Sequence, residues 1–135
     1  MATVLFVCRQ NAGRSQMSQA LFGRASAGTH TALSAGTTPA AHVHPEVLSA
    51  MAEIGIDLSA RVPQLLTEEL AQAADVVVTM GCGDQCPYIP GKRYIDWELP
   101  DPAGRPLAEV RAIRDAIDRR VTALVRDLSR PDAGA

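Results

Sequence analysis

Residues 4–15, VLFVCRQNAGRS, pass from apolar to polar in one step, at a cysteine. TVLFV at 3–7 is a short, β-branched apolar run of the kind buried on both faces of a parallel sheet. SQMSQALFGRA at 15–25 then sets Met17, Ala20, Leu21 and Ala25 at helical spacing, with Ser15 as the cap. Strand, polar loop and helix therefore follow one another within about two dozen residues. The alternation continues outward. THTALSAG predicts a second strand ending at Gly36, and HPEVLSAMAEIG at 44–55 a helix with Pro45 in its first turn and Gly55 past its end. TEELAQAA at 67–74 reads as a helix opened by Thr67 with acidic residues in its first turn. DVVVTMG at 75–81 is the clearest buried strand, and KRYIDW at 92–97 a shorter fourth. From 107 to 128, Leu107, Val110, Ile113, Ile117, Val121, Leu124 and Leu128 fall three or four apart, which predicts one long amphipathic helix.

Strands alternating with helices imply an α/β fold with a parallel sheet and right-handed crossovers, a single domain over residues 1–135. The chain is long enough to bury a real core. Its 13 basic and 15 acidic residues give a formal net charge of −2 with no long run of one sign, which argues against nucleic acid or a membrane surface as partner. No run of 18 apolar residues is present, and MATVLFVC carries no basic region, so neither a membrane span nor a secretory signal is expected. A cytoplasmic location would keep the three cysteines, Cys8, Cys82 and Cys86, reduced and available for chemistry.

In parallel α/β sheets, ligands sit beyond the carboxyl ends of the strands. Cys8, Ser34, Cys82 and the segment after Trp97 all lie just past predicted strand ends. A helix N-terminus offers unpaired N–H groups and a positive dipole end. The loop of Arg9, Gln10, Asn11, Ala12 and Gly13 can wrap such groups round a tetrahedral anion, with Asn11 and Gly13 tolerating unusual backbone angles. Arg14 supplies a planar fork for two anion oxygens. The same field favours a thiolate at Cys8, to which Ser15 can donate a hydrogen bond. A nucleophile and an anion cradle thus share one loop. The His-x-His spacing of His42 and His44 fits a tetrahedral zinc centre poorly, and the Cys-x3-Cys spacing, though permissible, has no second pair of thiols beside it; no metal and no cofactor are expected.

VLFVCRQNAGRSQMSQALF resembles the phosphate-binding loop shared by low-molecular-weight protein tyrosine phosphatases and the arsenate reductases built on that fold. LSAGT at 33–37 is similar to their second strand end, DVVVTMG to their third strand, and DWELPDPAG at 96–104 to their acid-bearing segment. The resemblance implies a three-layer α/β/α fold around a four-stranded parallel sheet, with Cys8 as nucleophile, Arg14 as oxyanion clamp, Ser15 as thiolate stabiliser and Asp101 as general acid. It implies arsenate as substrate, with phosphate or sulfate as analogues. Some arsenate reductases of this fold carry a potassium site; Asn11 and Ser34 match it, whereas Gln19, Val62 and Gln64 replace its oxygen-rich partners.

Thiol count separates the activities. A phosphatase needs one cysteine, an acid and water. Reduction of arsenate takes two electrons, which a pair of thiols supplies on becoming a disulfide. MGCGDQCP at 80–87 places Cys82 and Cys86 just beyond the third strand, among Gly, Asp and Gln residues that are not core-like. In thioredoxin-coupled arsenate reductases a cysteine pair in this segment relays oxidation away from the nucleophile. The resemblance therefore implies a Cys8, Cys82, Cys86 relay emptied by thioredoxin, the Cys-x3-Cys spacing being shorter than the usual one. The alternatives are a reductase served by a small thiol such as mycothiol or glutathione with Cys8 alone essential, a phosphatase, or a sensor that binds an oxyanion or metal without turnover. Gly13, where the phosphatases usually carry a second cysteine, and Ala103 and Gly104, where they place an aromatic residue, weigh against the phosphatase.

Overall fold

A computed structural model describes residues 1–81 and 90–130. Strands β1 (Thr3–Cys8), β2 (Thr31–Gly36), β3 (Val76–Met80) and β4 (Arg93–Asp96) form one sheet in the order β2-β1-β3-β4. Every pairing is parallel. Cys8 is paired with Gly36 on one side and Met80 on the other, and Thr79 with Asp96, so all four strands end at one edge.

The strand pleat divides β1 between two cores. Val4 and Phe6 face helices α1 (Arg14–Ser26), α2 (Pro45–Ala52) and α4 (Leu107–Leu128). Leu5 and Val7 pack on the opposite face with Val77, Ala35 and Ala71 of helix α3 (Glu68–Ala73). This is the expected three-layer arrangement, with the central strands buried on both faces. Met17, Leu21 and Phe22 of α1 meet Val110, Ile113, Ile117 and Val121 of α4 at the three-or-four spacing read from the sequence. Burial of each such side chain contributes about 1.5–3 kcal/mol.

Several element boundaries differ from the sequence reading. Helix α1 begins at Arg14 with Gly13 at the N-cap and no side-chain cap bond, so Ser15 lies inside the first turn and is not the cap. Strand β2 starts at Thr31, the register partner of Thr3 at the start of β1; in the His30 ring just before it, Nδ1 accepts from the Ala2 N–H at 3.0 Å and Nε2 lies 3.1 Å from Ser129 Oγ. Helix α2 stops at Ala52, and the chain turns through Gly55, whose φ of +82° suits glycine. Thr67 does cap α3, its hydroxyl accepting from the Leu70 N–H at 3.2 Å.

The α2–α4 seam is closed by charge. Glu53 receives Arg111 through Nη2 at 2.6 Å and Arg114 through Nη1 at 2.9 Å. Buried Arg114 also donates to the Ala50 carbonyl at 2.7 Å. The Arg111 hydrogen bond holds the Glu53 carboxyl below the ordinary carboxylate range against partial desolvation, with Arg114 adding to it. No helix among the described residues is long and apolar enough to cross a membrane.

Candidate active site

Cys8 ends the central strand with only 2% of its surface exposed. The chain then turns through Asn11 in the left-handed region (φ 51°), a conformation Asn tolerates better than most residues. Loop orientation is set by main-chain bonds from the segment after β2. The carbonyls of Cys8, Arg9, Gln10 and Ala12 accept from the N–H groups of Thr37, Thr38, Ala40 and His44 at 2.7–3.2 Å. With those carbonyls tied outward, the loop N–H groups are left to face the opposite way. For the N–H groups of Gln10, Ala12 and Gly13 no acceptor is found among the described residues. That is the arrangement an oxyanion requires. Gly36 makes the docking possible, since a Cβ there would lie 2.8 Å from the Arg9 carbonyl and 2.9 Å from the Asn11 nitrogen.

A hydrogen-bonded chain converges on the sulfur. Asn11 Oδ1 accepts from the Gln64 N–H at 3.0 Å and from Gln16 Nε2 at 3.1 Å, which fixes its amide with Nδ2 toward Ser15. Nδ2 then donates to Ser15 Oγ at 2.7 Å. Ser15 Oγ lies 2.9 Å from Cys8 Sγ, and the Asn11 N–H points at the same sulfur from 3.3 Å. A hydroxyl that accepts from Asn11 has its proton free for the sulfur. Two donors aimed at Sγ suit a thiolate, the nucleophilic form of cysteine.

Arg14, 7% exposed, leaves the first turn of α1 toward the loop after β4. Its Nη1 donates to the Leu99 carbonyl at 3.1 Å, and its Nη2 stands 3.7 Å from Asp101 Oδ2. Asp101 is 53% exposed on its side chain and closes an Asx turn, with Oδ1 accepting from the Ala103 N–H at 3.0 Å. Arg105 Nε donates to the Asp101 carbonyl at 2.6 Å. Trp97 is buried against Phe6, ring centroids 5.8 Å apart. A cleft of about 690 Å³ lined by Thr79, Gly81, Asp96, Trp97, Glu98, Leu99 and Pro100 lies beside the loop. Cys8 does not line it; the hydrogen bonds of the loop, not the cavity, locate the chemistry.

The structure thus brings together Cys8, Asn11, Ser15, Arg14 and Asp101. Arg9 is exposed and Gln10 half-buried on the loop, while Ala12 is fully buried. Cys82 and Cys86 lie outside the described residues. Two glycines act through the room they leave. Gly13 has φ −143°, so it is not there for a left-handed angle; a Cβ at this position would fall 2.6 Å from Pro102 Cγ. Gly81 likewise has no space for a side chain: a Cβ there would collide with Arg14 Nη1. Its φ of +77° and the room it leaves the guanidinium are what the site uses.

Gln16 and the 37–44 segment were missed. Neither gave a signal beyond ordinary polar composition, because the segment acts through its backbone. Around the residues compared with a potassium site, Ser34 Oγ donates to Gln19 Oε1 at 2.6 Å and Gln64 Nε2 to the Ser34 carbonyl at 2.7 Å. The oxygens of Asn11 and Ser34 are thus engaged in neutral hydrogen bonds, Asn11 Oδ1 accepting from the Gln64 main-chain N–H and from Gln16 Nε2. Among the described residues, no group of three or more His, Cys, Asp or Glu side chains is placed to hold a metal ion.

Comparison with known proteins agrees with the loop. The family model for low molecular weight phosphotyrosine protein phosphatases matches residues 3–133. A Halobacterium salinarum relative, provisionally named an arsenate reductase, is 41% identical over 132 residues, covering 94% of this chain and 93% of its own. A glutaredoxin arsenate reductase from Synechocystis is 33% identical over 132 residues, 96% of this chain and 100% of its own. The structure of a thioredoxin-dependent arsenate reductase from Corynebacterium glutamicum is 40% identical and superposes on 95% of this chain with a TM-score of 0.80. This chain spans 61% of the length of that protein.

Proposed function

The chain belongs to the low molecular weight phosphotyrosine protein phosphatase family, and within it we propose that this protein acts as an arsenate reductase. The observation that carries the reading is the Cys8 sulfur, held by two donors over a loop whose carbonyls are tied away from it. Arsenate sits on the loop N–H groups from Arg9 to Ser15, with the Arg14 fork closing over its oxygens. The Cys8 thiolate attacks arsenic; an S–As bond forms as an As–O bond breaks, and the departing oxygen takes the Asp101 proton and leaves as water.

Cys82 then attacks Cys8 Sγ. The S–As electron pair stays on arsenic, which departs as arsenite, and a Cys8–Cys82 disulfide forms. Cys86 attacks Cys82, which frees Cys8 and leaves a Cys82–Cys86 disulfide for a thioredoxin dithiol to reduce. Two thiols supply the two electrons. The sequence supports the relay: Cys82 follows Met80 by two residues, and Met80 is the β3 partner of Cys8. The names of the relatives support arsenate, and the Corynebacterium neighbour supports thioredoxin.

The test is arsenate-dependent NADPH consumption with thioredoxin and thioredoxin reductase. Wild type is expected to turn over, and Cys82→Ser and Cys86→Ser to lose that turnover. No consumption by wild type, or full turnover by both serine variants, sinks the relay. Glutathione with glutaredoxin, or mycothiol, in the same assay decides the reductant, and Cys8 alone being essential would assign a small thiol. A second reading is favoured by one observation: the described site holds one thiol, Asp101 and Arg14, which is all that phosphomonoester hydrolysis requires. That phosphatase would hydrolyse an aryl phosphate equally well in the Cys82→Ser/Cys86→Ser double variant.

A further inference from the structure

The nucleophile loop meets the acid loop at a residue with no side chain. A Cβ built on Gly13 lies 2.6 Å from Pro102 Cγ, 3.4 Å from Pro102 Cδ and 3.5 Å from His44 Cδ2. Real Cβ atoms do not tolerate the first of these distances, and Pro102 is not the far end of a flexible chain, since its ring is closed on the backbone. Pro102 is buried although its neighbours Asp101 and Ala103 are exposed. The 101–105 turn therefore rests on the nucleophile loop through one proline ring. Immediately beside that contact, Arg14 holds the same turn by Leu99 and Asp101.

We propose that Gly13 is a positioning residue: its missing Cβ seats Pro102 on the nucleophile loop and so holds the Asp101 carboxyl at the mouth of the site. The proposal rests on the roles given above to Cys8 and Asp101, and concerns what fixes the acid rather than the acid itself. A side chain at position 13 lifts Pro102, and Asp101 moves with it as the adjacent residue. The Ser15–Asn11–Gln16 chain that sets the sulfur does not pass through this contact.

The geometry also specifies its own rescue. In Pro102→Ala the Cγ and Cδ that obstruct position 13 are gone, and no other atom lies nearer than 3.5 Å to the Gly13 Cβ position. Gly13→Ala is thus expected to lower arsenate turnover at least tenfold, while Gly13→Ala/Pro102→Ala returns to within about threefold of Pro102→Ala alone. Cys8 alkylation by iodoacetamide, mapped by mass spectrometry, and its protection by inorganic phosphate should stay within about twofold of wild type in Gly13→Ala. Adding Asp101→Asn to Gly13→Ala should cost less than Asp101→Asn costs in the wild type, by about the factor that Gly13→Ala has already lost.

A Gly13→Ala enzyme as active as wild type overturns the proposal, as does a double variant no better than Gly13→Ala with Cys8 alkylation still native. If the wild type itself fails to turn over arsenate, the functional reading fails. The positioning claim is then decided by the amide NMR signals of Asp101 and Ala103. These must shift between wild type and Gly13→Ala and coincide between Pro102→Ala and the double variant; signals unmoved in Gly13→Ala overturn it.

Discussion

The two loops that meet at Arg14 are built in opposite ways. Residues 8–15 are almost entirely buried and held by four main-chain bonds from residues 37–44 and by a side-chain network through Asn11. Residues 100–105 stand in solvent apart from Pro102, and local bonds shape them: the Asx turn of Asp101, the Arg105 N–H to the Pro102 carbonyl at 3.1 Å, and the Arg105 side chain to the Asp101 carbonyl. The first loop is preorganised for an anion and a thiolate. The second carries its carboxylate on a turn that two contacts, Pro102 on Gly13 and Arg14 on Leu99 and Asp101, keep in place. Function and stability are therefore fused in one loop and separable in the other.

Substitutions can break or sharpen that contrast. Cys8→Ser should abolish turnover to background in a steady-state assay, since a hydroxyl at that site is not ionised near neutral pH. Asp101→Asn should lower turnover by about 10²–10⁴-fold and move thermal stability by less than about 0.5 kcal/mol, as befits an exposed turn. Asn11→Ala should do both kinds of damage. It leaves Ser15, Gln16 and the Gln64 N–H without their partner, costing about 1–3 kcal/mol in denaturant unfolding, and it removes the alignment of Ser15 on the sulfur. An Asn11→Ala protein with native stability would mean that the two loops do not differ as described.

The smallest expected effect lies far from both loops, at Glu53. Its folded carboxyl is held below the ordinary range first by Arg111, against desolvation, and then by Arg114. Its contribution is thus present above the unfolded carboxylate pKa and is lost as pH falls through the folded value. Thermal melts of Glu53→Gln and wild type should differ near neutral pH and converge on the acid side, with turnover unaffected. Curves that stay parallel to low pH would deny the coupling.

How much of this was readable from the sequence follows the same division. The βαβ order, the burial of both faces of β1 and the α4 stripe are periodicities, and they emerge in the structure nearly as spaced. Cys8, Arg14 and Ser15 were readable because side-chain chemistry at fixed spacing names them. Ser15 was misread in one respect, as a helix cap, because capping and bonding to a sulfur call for the same hydroxyl; only the direction of the side chain separates them. Gly13 and Gly81 invite a conformational reading, yet at Gly13 the constraint is the room Pro102 takes, and at Gly81 the Arg14 guanidinium adds to the positive φ. Contacts made by absent atoms between distant segments have no local signature. The bonds from Thr37, Thr38, Ala40 and His44 were hidden for the same reason, since they use backbone that every residue carries.

The central claim is that a thiol loop shared with phosphatases here passes its oxidation to a second pair of cysteines. Its most direct test is peptide mapping of reduced protein after one equivalent of arsenate, with arsenite measured in the same sample. The account predicts one equivalent of arsenite, a Cys82–Cys86 disulfide and Cys8 recovered as a free thiol. Three free thiols with arsenate unchanged would contradict it.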